Sequence, residues 1–500
     1  MYMIRARYFA APLLALSVFI FAPEALAATR SLSLRMSGSD VTALQNQLIA
    51  KGYLASGKNT GYFGNLTQAA VEKFQCDKKI ICASDAVSGY GIAGPKTQAA
   101  LASAATAIPA GTQNPSAVTG KSLTGPYTGP LEFSGWVPDW RAASGTLDTA
   151  PHLSQLKSVM PFGYTVSDTG TLIDSAHISE DPWPAFIAAA KAQGTRVVPT
   201  VEWGDGEAIQ NVLSNSTTRI ALEDSIANLV KQNDFDGIDI DFEAKESQTI
   251  DYFSTFLKGL YSRMGNKWVY CTVEARMPLE DRYSPGATIP PDATDYANDY
   301  NALNKYCDRV ELMAYDQGTV DVRLNNARSA PYAPVADPGW VETMVLLASQ
   351  SIAKNKIIIG VPTYGYEYQV TPLATGGYQY ERLWAFNPNY ALQIAAQLGI
   401  TPTRTSADEM GFTYNPSSLQ TVAPQGSQTT ETQQQTTPAT TVANNQGSQL
   451  NSTQPFNYVT WSDAQAIADK VSIARQMGVR GIAVFSLGGA EDQNMWSVLK

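Results

Sequence analysis

Between residues 131 and 500, eight short runs rich in β-branched and aromatic residues follow one another, separated by stretches of helical periodicity; few folds accommodate that alternation. The runs are LEFSGWV (131–137), SVMPFGYTV (158–166), RVVPTVEW (196–203), GIDIDFE (237–243), WVYCTVEA (268–275), RVELMAYD (309–316), KIIIGVPTYG (356–365) and GIAVFSL (481–487). Between them Leu222, Ile226, Leu229 and Val230 share one helical face, and Ser462 with Gln465 reads as a capping box for a helix that Gly478 ends. Strand–helix alternation eight times over predicts an α/β fold, a TIM (β/α)8 barrel. A doubly wound open sheet is the alternative, but no glycine-rich phosphate loop follows the first run. The seventh and eighth runs are separated by more chain than one helix needs, which predicts an inserted α+β lobe over 366–458. Within it, 424–455 is a Gln, Thr, Asn and Ser tract with Glu431 as its single charge, expected to be a disordered surface loop.

The fourth run carries the chemistry. In DGIDIDFE (236–243), period two places Ile238, Ile240 and Phe242 on one face and Asp239, Asp241 and Glu243 on the other. In a barrel the apolar face meets the helices and the acids point inward, with Glu243 at the C-terminal rim where barrel enzymes keep their active sites. Packing alone does not account for three interior carboxyls, because each loses hydration and each raises the cost of its neighbour. Coupled acids relieve the repulsion by sharing protons, which leaves one member protonated near neutral pH as a general acid, and Glu243 is best placed for that role. A calcium loop fails because Ala244 stands where such a loop needs glycine. A metal-binding Asp-x-Asp of a sugar transferase lacks a nucleotide site, and an ion-pair network lacks a Lys or Arg within the strand.

Outside the barrel region, two segments repeat, GYFGNLTQAAV (61–71) and GYGIAGPKTQAAL (89–101), each leading into a helix start. In the second, Gly94 and Pro95 sit at the N-cap and first-turn positions. Residues 104–130 are nearly uncharged and rich in Ala, Thr, Gly, Ser and Pro, and read as a flexible linker. At the N-terminus Arg5 and Arg7, an apolar stretch and Ala25-Leu26-Ala27 form the three regions of a signal peptide, expected to be residues 1–27, and no membrane span is expected after its removal. Export permits disulfides. Cys76, Cys82, Cys271 and Cys307 form an even set with three connectivities, of which pairing near neighbours is the simplest, and four buried thiols are the alternative. A net charge of −10 argues against a nucleic-acid partner, and His152 and His177, the only histidines, lack neighbours at ligand spacing, so neither a metal nor another cofactor is expected.

Two resemblances give these features a context. SGSDVTALQNQLIAKGYL, GYFGNLTQAAVEKFQ and GPKTQAAL, over 35–103, resemble the peptidoglycan-binding domain that accompanies many cell-wall hydrolases, a small three-helix unit; a packing module without a ligand is the alternative. DGIDIDFE resembles the Asp-x-x-Asp-x-Asp-x-Glu signature of glycoside hydrolase family 18, the chitinase-type barrels. LMAYDQ (312–317), KIIIGVPTYGYEY (356–368) and SIARQMGVRGIAVF (472–485) extend that resemblance across 131–500, in particular to the branch with cell-wall N-acetylglucosaminidases. It implies a retaining glycosidase in which the substrate's 2-acetamido group is the nucleophile. On that pattern Glu243 protonates the leaving oxygen, Asp241 orients the acetamide, Asp239 holds or shares the proton of Asp241, Tyr315 donates to the acetamide oxygen, and Asp316 and Met313 contact the sugar. The family commonly ends its eighth strand with tryptophan, where this chain offers Phe485 or Ser486, so Phe485 becomes the expected platform. Trp136, Trp203, Tyr364 and Tyr366 are candidates for stacking on sugars. The expectation is a secreted monomer, extracellular, wall-associated or periplasmic, acting on peptidoglycan. Chitin is the near alternative, and an inactive lectin-like barrel the alternative of another class.

Overall fold

The computed structural model describes residues 31–102 except 35, 37, 55–57, 60 and 83–88, and residues 124–500 except 285, 375, 420–439 and 444–453. The expected signal peptide lies outside the described residues, as do the first twenty linker positions, 104–123. The chain divides into two compact units, 1–113 and 114–500.

The first unit contains helices Ser39–Ala50, Asn65–Asp77 and Pro95–Ala102 around Val41, Leu44, Leu48, Phe63, Val71, Phe74 and Leu101. Its internal repeat is built from hydrogen bonds. Gln45 Oε1 accepts from the Gly61 N–H while its Nε2 donates to the Tyr62 carbonyl and Thr67 Oγ1. Thirty residues on, Gln75 does the same to Gly91, Ile92 and Thr97. A buried amide with no partner would cost about 1–3 kcal/mol; here each glutamine satisfies both ends and fixes a loop ahead of a helix. A Cys76–Cys82 disulfide closes the end of the second helix.

The second unit is a closed parallel barrel whose strands are Glu132–Val137, Ser158–Val166, Arg196–Val197 continued by Thr200–Trp203, Gly237–Phe242, Trp268–Glu274, Arg309–Met313, Ile357–Pro362 and Gly481–Phe485. The first strand pairs in parallel with both the second and the last, which closes the ring. Ile238, Ile240 and Phe242 are fully buried against the surrounding helices. The interior is filled by Trp136, Met160, Val198, Tyr270, Ile358 and Ala483. At the N-terminal end Glu132 takes Arg309 Nε at 2.6 Å and Arg480 Nη2 at 2.6 Å, and Arg196 lies 3.8 Å over the Trp268 ring. Burial works to raise the Glu132 carboxyl, but the two guanidinium groups outweigh it and hold it at about 2. A second disulfide, Cys271–Cys307, ties the fifth strand to the chain entering the sixth.

The inserted lobe begins at Gly365 and returns at Trp461, an antiparallel sheet in the order Thr403–Arg404, Met410–Tyr414, Phe456–Trp461, Gly365–Pro372, Tyr378–Phe386, Thr440–Ala443, with helix Pro388–Leu398. The tract expected to be disordered lies mostly outside the described residues, but Thr440–Ala443 within it pair as an edge strand with Tyr378–Glu381. Two further expectations are corrected. Helix Ala464–Met477 is capped by Asp463, which accepts from the Ala466 N–H at 3.0 Å, and not by Ser462. Residues 124–130, assigned by composition to the linker, belong to the barrel unit: the Tyr127 N–H donates to the Gly478 carbonyl at 2.7 Å and Arg480 lies 4.5 Å over its ring. Low charge there reflects a surface-hugging strap, which composition does not distinguish from a tether.

Candidate active site

A cleft of about 640 Å³ opens over the C-terminal ends of the barrel strands, beside the lobe. Asp241, Glu243, Met313, Tyr315, Asp316, Tyr364, Tyr366 and Phe485 border it, so most of the residues singled out from the sequence converge on one opening.

Asp239 lies one layer below, fully buried, and its carboxylate accepts three hydrogen bonds: from Trp136 Nε1 at 3.0 Å, Thr200 Oγ1 at 2.9 Å and Thr272 Oγ1 at 2.9 Å. Strand register creates this arrangement, since Thr200 and Glu202 of the third strand stand level with Asp239 and Asp241 of the fourth. Burial raises the Asp239 carboxyl and the three donors oppose that rise. Asp241 is 3% exposed, and its Oδ1 has no hydrogen-bond partner among the described residues. Burial, then the charges of Glu243 and Asp239, push it well above the usual carboxylate range. Burial, followed by the charge of Glu274, raises Glu243 to about 7, with Lys245 pulling the other way. Raised toward neutrality in this way, Glu243 is able both to give and to take a proton.

Burial first, and then the Asp241 carboxyl, hold the Tyr315 hydroxyl well above its ordinary value, which keeps it a hydrogen-bond donor. Its ring stacks on Phe485 with centroids 5.6 Å apart, and it needs the missing side chain of Gly360, where a Cβ would stand 2.9 Å from the Tyr315 ring. Phe485 also meets Trp136, Phe162 and Tyr364 at 5.9, 5.9 and 6.2 Å, so it is held from several sides as the floor of the cleft. Asp316 accepts from the Tyr364 hydroxyl and from the Tyr366 hydroxyl at 2.6 Å, which makes Tyr364 as much a holder of Asp316 as a free stacking surface.

Two aromatic candidates are corrected. Trp136 is 1% exposed and spends its indole N–H on Asp239, leaving no face for a sugar. Trp203 borders the cleft but is 3% exposed and packs edge-on against Phe242 at 5.3 Å, in the layer between strands and helices.

Other participants come from strands remote in sequence. Glu202 borders the cleft beside Asp241, and burial together with Asp139 raises its carboxyl. Glu311 is fully buried, with one oxygen 3.3 Å from Thr272 Oγ1 and the other without a partner. The Thr272 hydroxyl has one proton, and its shorter bond is to Asp239. A protonated Glu311 that donates to the Thr272 oxygen satisfies this chain, consistent with burial and the Asp239 charge raising Glu311 well above the usual range. The sequence signal for Glu311 is alternation in RVELM, where a lone acid falls on the inward face.

Comparison with known proteins bears on the family and the fold. The family description "Glycosyl hydrolases family 18" matches residues 145–490, and "Putative peptidoglycan binding domain" matches 37–101. Among curated relatives, the uncharacterized glycosylase YvbX of Bacillus subtilis (strain 168) is 26% identical over 166 residues, 33% of this chain and 44% of the relative, so the chain spans less than half of that relative's length. The cortical fragment-lytic enzyme of the same organism is 22% identical over 362 residues, 70% of this chain and 68% of the relative. A class V chitinase from Pseudomonas fluorescens Pf-5 shares the fold with a TM-score of 0.55 at 19% identity, covering 74% of this chain and 98% of that one. The family match takes in the acidic fourth strand and all but the first of the barrel strands, and the chain belongs to glycosyl hydrolases family 18.

Proposed function

We propose that this protein is a retaining glycosidase that hydrolyses β-1,4 bonds after N-acetylglucosamine in peptidoglycan, with the sugar's own acetamide as nucleophile. The observation that carries this reading is the placement of Asp239, Asp241 and Glu243 on one face of one strand below a single opening. Asp241 and Glu243 are two residues apart, about 6.6 Å along the strand, and approach a bound sugar from the same side. A pair that flanks the sugar, as protein nucleophile and acid at about 5–5.5 Å, needs the opposite arrangement.

In the first step Glu243 gives its proton to the glycosidic oxygen while the acetamide carbonyl oxygen attacks C1, expelling the leaving sugar as its alcohol and leaving a cyclic oxazolinium ion. Asp241, ionised at that moment, accepts the acetamide N–H and offsets the positive charge, and the Tyr315 hydroxyl holds the carbonyl oxygen in position. Asp239, positioned by Trp136, Thr200 and Thr272, makes that ionisation possible by accepting the proton that Asp241 gives up. Water then adds to C1 as the Glu243 carboxylate takes its proton, the bond from C1 to the acetamide oxygen breaks to restore the acetamide, and the configuration at C1 is retained. Phe485 supports the sugar ring from below, with a smaller face than an indole would give. Export directed by residues 1–27 places the enzyme at the wall, and the peptidoglycan-binding family match over 37–101 supports wall glycan over chitin.

Digestion of purified peptidoglycan and of a chitin hexamer, with mass spectrometry of the new ends, tests the reading. Reducing N-acetylglucosamine ends from peptidoglycan are expected. Reducing N-acetylmuramic acid ends contradict it, cleavage of chitin alone moves the substrate to chitin, and cleavage of neither points to a carbohydrate-binding barrel.

A further inference from the structure

Immediately after Glu243 the chain turns back on itself. Ala244 has φ 54°, the left-handed region that a residue with a side chain rarely adopts. Gly206 packs so closely that a Cβ there would lie 2.2 Å from the Ala244 carbonyl oxygen. The turn sends Lys245 inward. Its side chain is 0% exposed, its Nζ lies 4.7 Å over the Phe253 ring and 3.9 Å from Glu274 Oε2, and it has no hydrogen-bond partner among the described residues. A buried ammonium in that state is strongly disfavoured unless opposite charge surrounds it. The groups that face it are Asp241 and Glu243 from the fourth strand, Glu274 from the fifth and the Phe253 ring from helix Ile250–Met264. Glu274 is itself fixed by Asn298 Nδ2 at 2.7 Å. Glu243 in turn faces Glu274, Lys245, Glu202, Asp316 and the Tyr315 hydroxyl, beside Asp241.

We infer that Lys245 and Glu274 are a pair of positioning residues that set the proton affinity of Glu243, Lys245 stabilising the carboxylate left when the glycosidic oxygen is protonated and Glu274 favouring the return of the proton. This rests on the reading of Glu243 as the general acid. The balance fits the two halves of the reaction: without Lys245, donation leaves a new negative charge beside Asp241, and without Glu274 the carboxylate is a weaker base toward water. The opposed pulls of Glu274 and Lys245 on Glu243 support the assignment. So do the three carboxyls that resist the lowering of Lys245 by burial.

The test is the pH dependence of kcat and KM on a soluble N-acetylglucosamine-containing oligosaccharide for the unaltered protein, Lys245→Met, Lys245→Arg and Glu274→Gln. The basic limb of kcat is expected to move up by about one unit in Lys245→Met and down in Glu274→Gln. In Lys245→Met kcat at the optimum is expected to fall roughly ten-fold with KM within about two-fold, and Lys245→Arg to keep the limb in place. A structural role for the pair would lower activity without moving the limbs in opposite directions. Glu274 is 44% exposed, so Glu274→Gln keeps the test open if the lysine variants fold poorly. Cleavage with both limbs unmoved overturns the inference alone; no cleavage by the unaltered protein overturns the glycosidase reading and the inference with it.

Discussion

At the scale of single residues, the site is a contest between burial and hydrogen bonding, and substitutions separate the two. Glu243→Gln removes the proton donor while keeping the shape, so kcat is expected to fall about 10²–10⁴-fold with melting temperature unchanged or raised. A fall in KM-governed binding alone would contradict that role. Because burial and Glu274 lift Glu243 to about 7, activity is expected to decline as pH rises through about 7, which a pH–rate profile reads directly. Trp136→Phe keeps most of the ring and deletes the N–H to Asp239, and roughly a ten-fold loss of kcat is expected. The three acids were legible in the sequence because they alternate with apolar residues on one strand, a local pattern. Lys245 was visible only as a nearby lysine, since nothing in the letters tells that Ala244 reverses the chain. Trp136, Thr200 and Thr272 reach Asp239 from three other strands, and Glu311 reaches Thr272 from a fourth; which residues meet there depends on register, which no single strand's sequence contains.

At the scale of elements, the eight barrel strands were readable because each is a short apolar or alternating run between helical stretches, and the lobe because one connection was too long. Cap position and the linker's end were misread: Ser462 and Asp463 are neighbours that both suit an N-cap, and 124–130 gain order from contacts distant in sequence, with Lys354, Gly478 and Arg480. Interior acids leave an elemental signature in stability. Asp239, Asp241 and Glu311 have folded values raised above their unfolded ones, so the stability they contribute is fully present below about pH 4 and is lost as pH rises through the folded values. Glu311→Gln is therefore expected to raise the melting temperature at pH 8 more than at pH 5, measured by calorimetry, and an equal effect at both would contradict a titrating Glu311. Glu132 has the opposite sign: its folded value is depressed to about 2, so its contribution is present above about 4.5 and disappears as pH falls toward 2. Glu132→Gln is expected to flatten that acid limb.

At the scale of the whole molecule, the proposed function gives holding to the unit with the peptidoglycan-binding match and cutting to the barrel. Deleting residues 31–102 is expected to leave hydrolysis of small soluble glycans within about two-fold while slowing release from insoluble wall, since tethering raises effective concentration without touching the site. A sedimentation assay with wall fragments reads the binding half of that prediction. The central claim is that the substrate's acetamide, and not a protein carboxylate, attacks C1. It is tested most directly by comparing initial rates on peptidoglycan glycan strands before and after removal of the acetyl groups from glucosamine. The account predicts a loss of at least about a hundred-fold on the deacetylated strands; comparable rates on the two would contradict it.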